Sequence, residues 1–251
     1  MPLKPPKRRG GVRVPQLSRQ VWRGIGLLAG LGVLAWSVTA FFAISIITVK
    51  AASGGERIAA ETRQVVGSVW WRANVLLVDT DAIKTRLLQV DPTLKSVEIS
   101  RTLPHTLYVA AILKQPSVAW LSGNQLYVLD ADGTVIASNP ADNSLPVVVD
   151  GSNVPVRVGE RAASRRFVDF VSQLLPALAA RGVQATKLSI AETTLDLTVD
   201  TNKGYRLVFD TGREVPDEFV DYDAVMRTIA AQKKVVAEYV DLRIAGKAYY
   251  K

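Results

Sequence analysis

The chain has no cysteine and one histidine in 251 residues. Without thiols there is no disulfide framework and no thiolate metal site. A lone imidazole cannot build a His-based zinc centre. The chain also lacks a G-x-x-x-x-G-K phosphate loop, a G-x-S-x-G elbow and an S-x-x-K pair. Gly24-x-Gly26 lies inside an apolar run and makes no dinucleotide fingerprint. The histidine, His105, follows Pro104 in a predicted turn with no partner motif. Carboxylates remain, and a glycosidase needs only two. Asp79, Asp81, Asp91, Asp130 and Asp132 all stand where a helix cap or a turn accounts for them. No catalytic, cofactor-binding or metal-binding residue is assigned, and the chain reads as a non-enzyme.

Acidic residues are missing from the first part of the chain. Lys4, Lys7, Arg8, Arg9, Arg13, Arg19 and Arg23 stand there without a carboxylate among them. Of 31 basic residues these seven leave 24 against 23 acidic ones, so the +8 net charge belongs to the N-terminal tail. A nucleic-acid-binding domain needs its basic excess on the folded part. Here the charge reads as a topology signal. Gly24 to Val49 carries no charged side chain until Lys50 and would reach roughly 39 Å as a helix, more than the hydrocarbon core of about 30 Å. It is longer than the apolar core of a cleaved signal peptide and lacks a small-x-small cleavage site. The expectation is a transmembrane helix over 24–47, preceded by a basic, disordered cytoplasmic tail over 1–23 rich in proline and glycine. Everything beyond Lys50 then lies outside the cytoplasmic membrane. Gly26 and Gly30 fit either close helix approach or ordinary use of glycine in membrane helices.

Beyond the span, Ile46 to Lys50 is β-prone and Ser53-Gly54-Gly55 punctuates it. Glu56 to Val66 reads as a helix through Ile58, Thr62 and Val65 or Val66. Asp79-Thr80-Asp81 starts another, carried by Ile83, Leu87 and Val90 and ended by Asp91-Pro92. Two strands follow, Ser96 to Arg101 and Thr106 to Lys114, with alternating apolar residues. The order is β-α-α-β-β. A second unit covers 116–251. Asn124 to Asp130 and Gly133 to Ser138 read as a hairpin, and Leu145 to Val149 as a strand. Phe167, Phe170, Val171, Leu174, Leu175 and Leu178 mark an amphipathic helix ending at Arg181-Gly182, which Pro176 should kink or shorten. Leu188 to Ile190, Thr194 to Val199 and Tyr205 to Phe209 are strands. A helix over Asp217 to Lys234 and a strand over Ala237 to Ile244 complete the pattern. The fold class is α+β: one N-terminal transmembrane helix, a small β-α-α-β-β domain over 48–115, and a mostly antiparallel β domain with two helices.

Several motifs in this order resemble the FtsQ/DivIB division-protein family, whose first exterior domain is a POTRA domain. Asn74-Val75-Leu76-Leu77-Val78-Asp79 is similar to its N-L-L-x-V-D lead-in to the second helix. Val97 through Thr106, with Arg101, Leu103 and Pro104, resembles its V-x-R-x-x-P-x-T turn. Pro116, Val118, Ala119 and Trp120 resemble P-V-A-x-W, and Tyr239 to Arg243 resembles Y-V-D-L-R. Leu113-Lys114 departs from the family's Glu-Arg, keeping the positive charge and losing the carboxylate. The resemblance implies a cell-division scaffold of the divisome, placed in the cytoplasmic (inner) membrane at the division septum. It also implies partners of the FtsB/DivIC and FtsL type, single-span proteins forming a coiled coil, bound through C-terminal β-strand addition. By that carry-over Tyr239, Val240, Asp241, Leu242, Arg243, Tyr249 and Tyr250 form or flank the partner platform. Tyr239 and Leu242 equally fit core positions of their own strand. Two other classes remain as alternatives, a POTRA-bearing module for protein export or envelope assembly and a membrane-anchored enzyme acting on peptidoglycan.

Overall fold

The computed structural model describes residues 19–67, 73–140 and 144–251. The tail expected to be disordered lies, through residue 18, outside them. Helix α1 runs Arg19–Phe41, and its Gln20–Phe41 portion is long and apolar enough to cross a bilayer, with none of it buried in protein. The helix ends before residue 47, where composition alone had placed the boundary. Ile46 and Ile47 instead open strand β1 (Ile46–Lys50), which pairs in parallel with β3 (Thr106–Leu113), Ile46 opposite Thr106. Hydropathy cannot separate an apolar strand from the helix before it, whereas the β-branched run Ile46-Ile47-Thr48-Val49 favours the extended chain.

The first folded unit after α1 has the expected β-α-α-β-β order. Helix α2 (Gly55–Gly67) and helix α3 (Thr80–Val90) cover a sheet ordered β1-β3-β2, with β2 (Leu94–Thr102) antiparallel to β3. Asp79 caps α3 by accepting from the amides of Asp81 and Ala82. Ile58, Leu87, Leu107 and Val109 form its fully buried centre. The buried carboxylate of Asp91, just past α3, pairs with Arg57 at 2.9 Å and accepts from the amide and hydroxyl of Thr93. A carboxylate withdrawn from water needs such partners.

The second unit is one nine-stranded sheet with two helices on it. Its strands are β4 (Pro116–Ser122), β5 (Gln125–Asp130), β6 (Val135–Ser138), β7 (Val147–Asp150), β8 (Ala185–Ile190), β9 (Asp196–Thr201), β10 (Arg206–Asp210), β11 (Tyr239–Asp241) and β12 (Tyr249–Tyr250). Their spatial order is β12-β11-β10-β9-β8-β7-β4-β5-β6. Most pairs are antiparallel; β4 with β7, β7 with β8 and β10 with β11 are parallel. Strand β4 shows little polar alternation because Val118, Ala119 and Trp120 are all buried. Its turn into β5 is Gly123-Asn124, both with positive φ, so Asn124 is a turn residue and not a strand residue. Gly133 is required between β5 and β6, where a Cβ would lie 2.1 Å from the Ala163 carbonyl oxygen.

Helix α4 (Arg165–Ala179) starts at Ser164, whose hydroxyl accepts from the Phe167 amide. It continues through Pro176 to Ala179, so the proline occupies the last turn and does not end the helix earlier. Helix α5 (Val215–Ala231) carries Asp217 in its first turn, where negative charge suits the helix dipole. Both helices bury an aromatic chain against the sheet. Trp120 meets Phe167 at 5.8 Å between ring centroids, Phe170 meets Phe209 at 6.1 Å, and Phe209 meets Phe219 at 6.0 Å. Fully burying each Phe side chain contributes about 1.5–3 kcal/mol. The departure at Lys114 has a partner as well. Lys114 pairs with the buried Asp130 at 2.9 Å across the junction of the two units.

Candidate partner-binding edge

An open sheet has two edge strands, and each leaves a row of backbone donors and acceptors without a strand neighbour. In the nine-stranded sheet these are β6 and β12. The expected terminal strand over 237–244 is three residues long and lies second from the edge, because β12 pairs outside it, Val240 opposite Tyr250 and Asp241 opposite Tyr249. A two-residue strand has no periodicity to betray it. Its presence follows from pairing with β11 across the short 242–248 connection.

The β12 edge is built on β10 and β11. The Leu242 amide bonds to the Val208 carbonyl, and the Arg206 amide to that of Glu238. The Lys251 amide donates to the Tyr239 carbonyl, and its own carbonyl accepts from Ala237 and Glu238. Those groups of Lys251 therefore face β11. Strand alternation turns the N–H and C=O of the preceding Tyr250 outward.

The seven expected platform residues divide into two sets. Val240 and Leu242 are fully buried in the core, so their side chains support the edge from beneath. Tyr250 packs against the same core. Tyr239 and Asp241 are half-buried and Arg243 is exposed. Tyr249, 52% exposed, offers a ring to a partner. Arg243 is held by both oxygens of Asp241, at 3.0 and 2.7 Å, and by Asp196 at 3.2 Å. Its guanidinium, hydrogen-bonded to Asp241, lowers that carboxyl below its ordinary pKa. Ile244 and Val235 add exposed apolar surface nearby.

One cluster was missed from sequence alone. Arg213 pairs with Asp221 at 2.7 Å and donates to the Leu242 carbonyl, while Asp221 accepts from the Gly246 amide at 3.1 Å. These bonds fix the 242–246 connection between β11 and β12. Beside them Glu218 is fully buried and accepts from the Asp210 amide at 2.8 Å. Burial raises its pKa to about 8, with the Asp210 amide and Arg213 opposing the shift. Helical phase could have flagged it, since Glu218 shares the buried face of Val215, Phe219 and Tyr222.

An N-terminal helix long and apolar enough to cross a membrane, a POTRA-type β-α-α-β-β unit and a larger sheet with β12 at one edge are the parts this fold combines. Residues 118–243 match the family model of the cell division protein FtsQ/DivIB C-terminal domain, and the chain belongs to that family. It is 31% identical over 84 residues to the cell division protein FtsQ of Rickettsia bellii, covering 33% of this chain and 31% of that relative. With FtsQ of Chloroflexus aurantiacus it shares 33% identity over 90 residues, 35% of this chain and 32% of the relative. With FtsQ of Rickettsia prowazekii the figures are 35% over 63 residues and 24% of each chain. The matched stretches thus span about a third or less of these relatives' own length.

Proposed function

We propose that this protein is a non-enzymatic scaffold of the cell-division machinery, anchored by α1 with its basic tail in the cytoplasm and its two folded units outside, at the septum. The proposed organisation is a tail, a span, a POTRA domain ending near residue 115 and a β domain over 116–251. The proposed partner is a single-span coiled-coil protein of the FtsB/DivIC type in complex with one of the FtsL type. Its membrane-proximal segment adds as a strand beside β12. The observation that carries this reading is the open β12 edge, with Tyr250 backbone groups turned outward and Tyr249 exposed beside them. Strand addition supplies affinity through main-chain bonds and selectivity through flanking side chains.

The test is co-purification of the full chain from detergent-solubilised envelopes, with bound proteins identified by mass spectrometry. Recovery of small single-span coiled-coil proteins, reduced by Tyr249→Ala, supports the scaffold. Recovery of export substrates or barrel-assembly components in their place rejects it.

A further inference from the structure

We infer that the membrane-proximal end of the first exterior unit is itself a lipid-contacting surface, in which Leu76, Leu77 and Leu103 enter the outer interfacial layer beside the exit of α1. The inference rests on the anchoring role of α1 and concerns residues outside that helix.

The end of α1 is bonded directly to the loop ahead of α3. The side-chain amide of Asn74 donates to the Thr39 carbonyl at 3.3 Å, and the Val75 amide donates to the Phe42 carbonyl at 2.8 Å. The Ile44 amide donates to the Ala73 carbonyl at 2.6 Å. Asn74 also accepts from the Leu76 amide at 2.9 Å, closing a tight turn that buries Val75 and leaves Leu76 and Leu77 outside. Leu76 is 46% and Leu77 66% exposed.

A second turn reaches the same end. Because β1 leaves the membrane and β3 runs parallel to it, the start of β3 and the end of β2 lie at the membrane side. The His105 carbonyl accepts from the amides of Ser45 and Ile46, just past α1. Arg101 donates to the Val78 carbonyl at 2.8 Å and ties the two turns together. Leu103, at the tip between them, is 61% exposed.

Magnitudes place these side chains at lipid depth. Arg23 keeps its charge at the inner boundary, so Gly24 to Phe41 covers roughly 27 Å of a core about 30 Å thick. Phe41 and Phe42 therefore sit at or just inside the outer boundary. The interfacial layer adds about 5–8 Å on each side. Leu77 is two residues from Val75, hence within about 7.6 Å of it. Leucines held there meet acyl chains and headgroups in place of water.

The absence of cysteine allows single labels on the full chain. Nitroxide at Leu77→Cys and Leu103→Cys, in vesicles of phosphatidylcholine with phosphatidylglycerol, is compared by oxygen and nickel-chelate accessibility with Val154→Cys and Leu31→Cys. The expected result is an oxygen-to-nickel ratio several-fold above that of Val154→Cys at both leucines, approaching that of Leu31→Cys. Water-like ratios at Leu77 and Leu103 with a lipid-like Leu31 overturn the inference and leave the anchor intact. A water-like Leu31 rejects the anchor itself. Low access to both reagents at the two leucines means a protein covers them, which also overturns the inference.

Discussion

The two edges of the nine-stranded sheet are treated differently. At β6 a following segment covers the start of the edge: the Val135 amide donates to the Glu160 carbonyl, the Gly159 amide donates to the Val135 carbonyl, and Thr134 bridges to Arg161. At β12 the last strand neighbour is two residues long and carries an exposed tyrosine. Edge strands invite unwanted pairing, and under the proposed reading the β12 edge is the one given over to a partner. Under that reading the bonds at the start of β6 serve the fold, whereas those around β12 hold a short strand in position for a partner.

Four changes test this contrast. Tyr250→Pro removes the outward N–H of β12, and the affinity for the coiled-coil partner should fall about 100-fold in a titration; loss of ring packing is monitored by the melting temperature. Arg213→Ala strands the Asp221 carboxylate and frees the 242–246 connection. It should cost about 2–4 kcal/mol in denaturant unfolding and weaken the partner about tenfold. Glu218→Gln sharpens the contrast by pH, acting at the β12 end alone. Glu218 is raised to about 8, so between about pH 4.5 and 8 the folded chain holds a proton the unfolded chain has lost. Its contribution to stability is full below the unfolded value and is lost as pH rises through 8. The neutral glutamine should therefore leave melting unchanged near pH 5 and raise it by a few degrees near pH 9. The smallest effect belongs to β6. The Asn139 amide bonds inward to Leu126, so the Ser138 amide points away from β5. Ser138→Pro should change partner affinity less than about twofold, and a large loss would move the binding site to the other edge.

Much of the fold was legible because it is periodic. The faces of α2, α3 and α4 are written in Ile58, Leu87 and Phe167 with their helical neighbours, and the POTRA order follows from punctuation at Gly54-Gly55 and Asp91-Pro92. What was hidden lacked a period. Strand β4 is buried on both faces along its centre, so Val118-Ala119-Trp120 gave no alternation. Strand β12 is too short to have any. Among the residues expected at a platform, which of them turn inward was hidden: Val240 and Leu242 are buried, and the sheet edge runs through Tyr249 and Tyr250. The Arg213–Asp221 clamp joins residues on β10's exit, α5 and the last connection, and only folding brings them together.

The bonds from Thr39 and Phe42 to Asn74 and Val75 leave no slack between the span and the first folded unit. A domain on a flexible linker explores a volume that grows with linker length. One joined without a linker keeps its heading as it diffuses in the plane of the bilayer. For a partner that shares the membrane, encounter then becomes a search over position and rotation about a single axis, and a partner whose contact segment is a few residues too short or too long gains nothing from further collisions.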